Sequence, residues 1–219
     1  GAAARPINTF NLRSGTLRNV GEINGGLGFA KTAGVVSGNN TLILEGINSF
    51  TGNFTISAGT VQVGTGSTTG TLGAVSVINN AALVINRAGA YSVANAISGS
   101  GTLTVNGTGA VTLSGNNSYS GATTVSSGLV SLAHANALGG VGAGTTVAAG
   151  ASLELQGGIA VGAEALAISG SGNAANGALR NYFGANSFGG TVTLGGATTI
   201  QSDAGTLTLG NATAIAAEI

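Results

Sequence analysis

The chain has 219 residues, a formal net charge of zero from six basic and six acidic side chains, 41 glycines, one proline and no cysteine. Only 5% of its residues are charged, against about 25% in an ordinary globular domain, yet 43% are apolar. The apolar share excludes a disordered polar tail, and the lack of a basic patch able to neutralise a run of phosphates excludes a nucleic-acid binder.

Read from the start, Arg5, Arg13, Arg18 and Lys31 gather in a stretch whose acid is Glu22, which reads as a solvated first turn or an interface rim. Short segments then follow in which apolar residues alternate with small polar ones: Leu42/Leu44, Val61/Val63, Leu83/Ile85, Leu103/Val105, Val111/Leu113, Val130/Leu132, Leu153/Leu155, Val192/Leu194 and Leu207/Leu209. Period-two alternation bounded by Gly, Asn or Ser predicts half-buried strands, and no window shows a helical period. No apolar run approaches the ~18 to 20 residues of a membrane span.

A longer repeat overlies these strands. Asn48-Ser49-Phe50-Thr51-Gly52 returns as Asn117-Ser118-Tyr119-Ser120-Gly121 and, after an identical step, as Asn186-Ser187-Phe188-Gly189-Gly190. Leu42 to Gly64 set against Val111 to Ala133 gives nine identities in 23 positions. A fixed repeat of short strands predicts a solenoid in which each unit buries its apolar side only against its neighbours. The step divides into three turns of about 23 residues, giving nine to ten turns stacked over roughly 45 Å. In such a stack, equivalent positions form columns ~4.8 Å apart, where like charges would cost roughly 3 kcal/mol at an effective dielectric of 20. Asn, Ser, Thr and Gly suit those columns.

The block Gly99 to Ala133, GSGTLTVNGTGAVTLSGNNSYSGATTVSSGLVSLA, resembles the autotransporter-associated β-strand repeat of bacterial autotransporter passenger regions. Asn8 to Asn24 and Thr191 to Leu209 look like further pieces of it. The resemblance implies a right-handed parallel β-helix, exported across the outer membrane by a barrel on the same precursor and displayed extracellularly at the bacterial cell surface. Residues 1–219 are then expected to be a single β-solenoid segment, a piece of a longer passenger; Ala212 to Ile219 lack the strands of a translocator barrel.

Chemistry-bearing residues are sparse. Glycoside hydrolysis needs two carboxyl groups roughly 5 to 9.5 Å apart; Glu22 and Glu45, about one turn apart, are the best pair, though the repeat places Ser114 at the position of Glu45. Glu154 and Glu164 fall on different sides of one turn. His134 has no cysteine or second histidine to share a metal with, and with Asp203 the sole aspartate a calcium-binding nonapeptide solenoid is excluded. The glycine-dense stretches lack the following helix and Gly-Lys of a phosphate loop and read as turns.

These readings predict no catalytic, metal or cofactor site and a non-enzymatic scaffold or adhesin. A filament subunit joined end to end is the alternative, and a polysaccharide-active enzyme a minor one. Expected partners are a host-cell, matrix or glycan receptor, or further copies of the chain. The structural motif comprises Asn48, Phe50, Gly52, Asn117, Tyr119, Gly121, Asn186, Phe188 and Gly190. Its asparagines are expected to bond a neighbouring turn's backbone and its aromatics to act as packing pegs; the competing reading is a sugar-stacking track to which Tyr91, Tyr182 and Phe183 contribute.

Overall fold

Alternation becomes burial in a computed structural model that describes residues 10–33, 40–210 and the backbone of 216–217. In Thr41–Glu45, Leu42 and Leu44 are buried while Thr41, Ile43 and Glu45 are half-buried, and Ala82–Arg87 repeats the pattern with Leu83 and Ile85 inside. Every alternating pair named from the sequence lies in a strand. Most strands are short and end at turn glycines or polar residues, although Thr60–Ser67 and Val192–Thr198 run on through glycine.

The chain winds as an all-β parallel solenoid. Ten strands form one continuous sheet, here the long sheet, from Gly15–Arg18 to Ala216–Ala217, which marks about nine turns. A second sheet of six strands begins at Tyr91–Val93 and ends at Ile200–Ser202. The remaining side carries two short sheets: five strands from Asn11–Leu12 to Ile97–Ser98, and three formed by Ala160–Val161, Ala185–Phe188 and Thr206–Leu209. Between those two, Ser118 N–H donates to Ile97 O and Gly140 N–H to Tyr119 O, each at 2.8 Å, so hydrogen bonding continues where the regular strands lapse.

Turns of uniform length are not what forms. Leu42 lies opposite Gly15 and Thr60 opposite Thr41, so the first of these turns is distinctly longer than the second. The ladders fix the register and the corners absorb the difference. The reading of each repeat step as three turns is corrected accordingly. Val111 reaches Leu179 in three turns, through Val130 and Leu153. Leu42 reaches Leu103 in three turns, through Val61 and Leu83, so its repeat equivalent Val111 lies one strand further on, in the second sheet. The first copy of the repeat therefore sits one face away from the second.

One continuous apolar core runs from Ile23 and Phe29 to Val192. Three rings, Phe29, Phe50 and Phe54, fill its first turns with Phe29 stacked on Phe54 at 4.6 Å and edge-on to Phe50 at 5.1 Å. The inward column of the long sheet reads Leu103, Thr123, Thr145, Leu166, so two hydroxyls enter the core at its middle. The expected basic rim at the start is also corrected in part, because Lys31 is fully buried. Its Nζ donates to Thr32 O, to Ala58 O at 3.0 Å and to Asn40 Oδ1 at 2.8 Å, and burial lowers its pKa. Arg5, Glu218 and most of the terminal turns invoked for end-to-end joining lie outside the described residues.

Candidate functional site

The repeated phrase performs one structural task at all three of its positions. Asn48 Oδ1 accepts the N–H of Val20 at 3.0 Å, Asn117 Oδ1 that of Ile97 at 2.9 Å, and Asn186 Oδ1 that of Ile159 at 2.7 Å, each donor one turn earlier. Asn48 Nδ2 and Asn117 Nδ2 also donate to the following turn, to Thr71 O at 3.2 Å and Ala137 O at 2.7 Å. The aromatic residue two positions on, Phe50, Tyr119 or Phe188, is fully buried. These rings are inaccessible to a sugar, so they cannot form a stacking track. The glycine ends the phrase where the chain presses on the preceding turn: at Gly52, with φ +85°, a Cβ would lie 2.6 Å from Gly26 O, and at Gly121 and Gly190 it would collide with Gly101 O and Glu164 O.

Glu22 and Glu45 do not converge on a common centre. Arg18 lies opposite Glu45, 27 residues on, and forms an ion pair with it, while Thr65 donates to Glu45 Oε1 at 2.7 Å. Glu22 instead accepts from Thr51 Oγ1 at 2.7 Å and from Ile23 N at 2.8 Å. Glu22 and Glu45, the best candidate pair, are two separate hydrogen-bonded acids, both with lowered pKa values caused first by their hydroxyl partners Thr51 and Thr65. A general acid for glycoside cleavage needs a raised pKa.

Glu164 has a raised pKa, from desolvation, but it is buried. Thr145 donates to its Oε1 at 3.0 Å and its Oε2 has no partner. Nearby, Tyr119 and Thr123 share a 2.7 Å hydrogen bond, and burial pushes the Tyr119 phenol far above its usual value. The sequence places Glu164 only on a different side of a turn from Glu154 and carries no signal of this interior polar cluster. His134 Nδ1 accepts the N–H of Asn136 at 3.0 Å and closes a turn. Among the described residues no three side chains of metal-ligating type come together.

Two surface features remain. Where the second sheet begins at Tyr91 without a strand beneath it, an open groove of about 660 Å³ is left, bordered by Asn48, Thr71, Tyr91 and Asn95. Most of its polar groups hold the turns together: the Tyr91 hydroxyl accepts Leu72 N–H at 3.0 Å, and Asn95 Nδ2 donates to Gly73 O and Val75 O at 3.0 and 2.8 Å. Arg87 stacks on the Tyr91 ring, 4.6 Å from its centroid.

The second feature is on the outer side of Leu179–Phe183. Register slips between Leu155 and Gln156, with Leu155 opposite Asn181 and Gln156 opposite Phe183, so Tyr182 is an extra residue. This bulge breaks the alternation and leaves Tyr182 and Phe183 both 45% exposed, their rings 5.5 Å apart at 70°. Arg180 lies over the Tyr182 ring at 4.8 Å. Its guanidinium donates to Glu154 Oε2 at 2.8 Å and, through Nε, to Asp203 Oδ2 at 2.9 Å. Ser131 donates to Glu154 Oε1 at 2.9 Å, and Gln201 to Asp203 Oδ1 at 2.6 Å. The Arg180 hydrogen bond, followed by that of Gln201, holds the Asp203 carboxyl below its usual range.

Residues 35–63 and 103–132 match the Passenger-associated-transport-repeat family. Two segments of the chain are thus similar to the passenger-associated transport repeat. The first ends at Val63 in the long sheet and the second at Leu132 in the second sheet, so the repeats are alike in sequence but sit on different faces. Over 107 residues, 49% of the chain, the sequence is 47% identical to the adhesin BmaC autotransporter of Brucella suis biovar 1 (strain 1330). That alignment spans about 3% of the relative's length. No solved structure gives a significant match.

Proposed function

We propose that the chain is one stretch of a longer autotransporter passenger, exported across the outer membrane and displayed on the bacterial surface as a non-enzymatic β-solenoid that serves in adhesion. The observation that carries this reading is the passenger-repeat match placed on a solenoid, supported by 47% identity to an autotransporter adhesin. The site chemistry agrees with a scaffold: Glu22, Glu45, Glu154 and Asp203 are each held by hydroxyl, amide or guanidinium partners, and Glu164 is buried. Among the described residues no helix is long and apolar enough to cross a membrane.

The reading is tested in two ways. Antibodies against the chain should label intact bacteria that produce the full-length protein, and beads coated with the purified chain should adhere to cultured host cells above beads coated with albumin. Labelling only of permeabilised bacteria, or release of reducing sugar from a polysaccharide panel by the chain, would overturn it.

A further inference from the structure

We infer that the bulged ledge formed by Tyr182 and Phe183, with Arg180, Gln201 and Asp203 beside it, binds a neutral hexopyranoside. The inference rests on the adhesive reading above and names the class of ligand one site would take. A pyranose presents a face of C–H bonds and an equator of hydroxyls, so it needs an exposed aromatic surface next to fixed planar polar groups. The ledge supplies both within one strand and its neighbour. Strand alternation would have buried one of two consecutive rings; the bulge puts both outside.

The polar half is preorganised and has valences to spare. Arg180 uses three of its five N–H groups on Glu154 and Asp203, and Asp203 Oδ1 accepts from Gln201 alone. Two guanidinium N–H groups and the carboxylate lone pairs are left for sugar hydroxyls, and the side chains that offer them are already immobilised, which removes part of the ordering cost of binding. The three charged groups Glu154, Arg180 and Asp203 sum to one negative charge. Sialic and uronic acids are therefore disfavoured, and uncharged sugars fit.

Size argues against a protein partner. Two rings, each 45% exposed and inclined at 70°, offer roughly 200 Å² of aromatic surface, far below the ~800 Å² per partner of a stable protein interface, and one ring can stack on a sugar face while the other borders it. The ledge is a small corner of two rings rather than a docking face.

The test is a glycan array followed by titration of the hit against the whole chain. The chain lacks tryptophan, so the emission of its three tyrosines can be followed directly, with Tyr119 buried. Binding to neutral hexosides, lost at least tenfold in Tyr182→Ala and Phe183→Ala variants whose melting curves match the parent, is the expected result. Because both side chains are exposed, these variants leave the core untouched. Array signal confined to acidic glycans, no signal at all, or undiminished binding in a Tyr182→Ala/Phe183→Ala double variant would overturn the inference. Coated beads separate it from the adhesive reading: adhesion that persists in the double variant leaves that reading standing and removes the ledge from it, whereas no adhesion by the parent chain removes the adhesive reading itself.

Discussion

The Oδ1 atom of Asn117 accepts the N–H of Ile97 one turn earlier, while its Nδ2 donates to Ala137 O one turn later. One buried amide thus ties three consecutive turns at a place where regular strands lapse between the two short sheets. Asn117→Ala leaves a buried donor and a buried acceptor unmatched, at about 1–3 kcal/mol each. A lower urea midpoint is expected. Asn117→Asp retains the acceptor for Ile97 but sets an oxygen against Ala137 O, so it should not recover the parent value.

Gly121 has no space for a methyl group, because a Cβ there would strike the backbone carbonyl of Gly101 on the preceding turn. Gly121→Ala should lower expression of folded chain or the melting temperature by many degrees, since the obstacle is main chain and cannot swing away. Gly142→Ala, at a glycine with nothing within 4 Å of the added carbon and no left-handed backbone, should melt with the parent. Equal effects of the two substitutions would show that the close approach of turns is not what selects Gly121.

Glu164 sets a pH trend opposite to that of Glu22, Glu45 and Asp203. Desolvation raises its pKa, so its contribution to stability is fully present below the ordinary glutamate value of 4.5 and is lost as pH rises through the higher folded value. Glu164→Gln keeps an acceptor for Thr145 and removes the charge. The melting temperature of this variant minus that of the parent should grow as pH rises from about 4.5 to neutrality. A difference that is flat across that range would show that the buried carboxyl does not gain charge within it.

Asp203 should behave in the reverse sense. Its pKa is lowered chiefly by Arg180, so the stability it contributes is present above the ordinary aspartate value of 3.8 and is lost as pH falls through the folded value. In Arg180→Gln the Asp203 carboxyl resonance should titrate closer to 3.8. The same substitution leaves buried Glu154 with Ser131 as its one remaining side-chain partner and should lower thermal stability as well.

Much of the fold could be read from alternation: Leu42/Leu44 and Leu83/Ile85 read as strands with one side buried, and the buried rings Phe50, Tyr119 and Phe188 occur where the repeated phrase put them. Sequence periodicity, however, states which residues share a side of a strand, not which strands are neighbours. Corner lengths decide that, and they vary from turn to turn; Glu45 meets Arg18 instead of Glu22 because that single turn holds 27 residues. The exposed pair Tyr182–Phe183 was legible as aromatic surface, but the bulge that turns both rings outward depends on pairing with Leu155 and Gln156 and leaves no local signal. Burial of Lys31 and Glu164 was hidden for a similar reason, since their partners Ala58 and Thr145 are supplied by neighbouring turns.

The displacement of one repeat copy by a face has a consequence for display. Leu42 and Val111 hold equivalent places in sequence but lie on different sides of the rod, whereas Val111 and Leu179 share a side. A feature encoded in a copy is therefore assigned an azimuth by the loops that precede it, not by its own residues. The three turns from Leu42 to Leu103 are shorter than the three from Val111 to Leu179, and that difference in summed turn length moves the second copy by a face. A solenoid built in this way presents equivalent residues of its first two copies in different directions around its circumference.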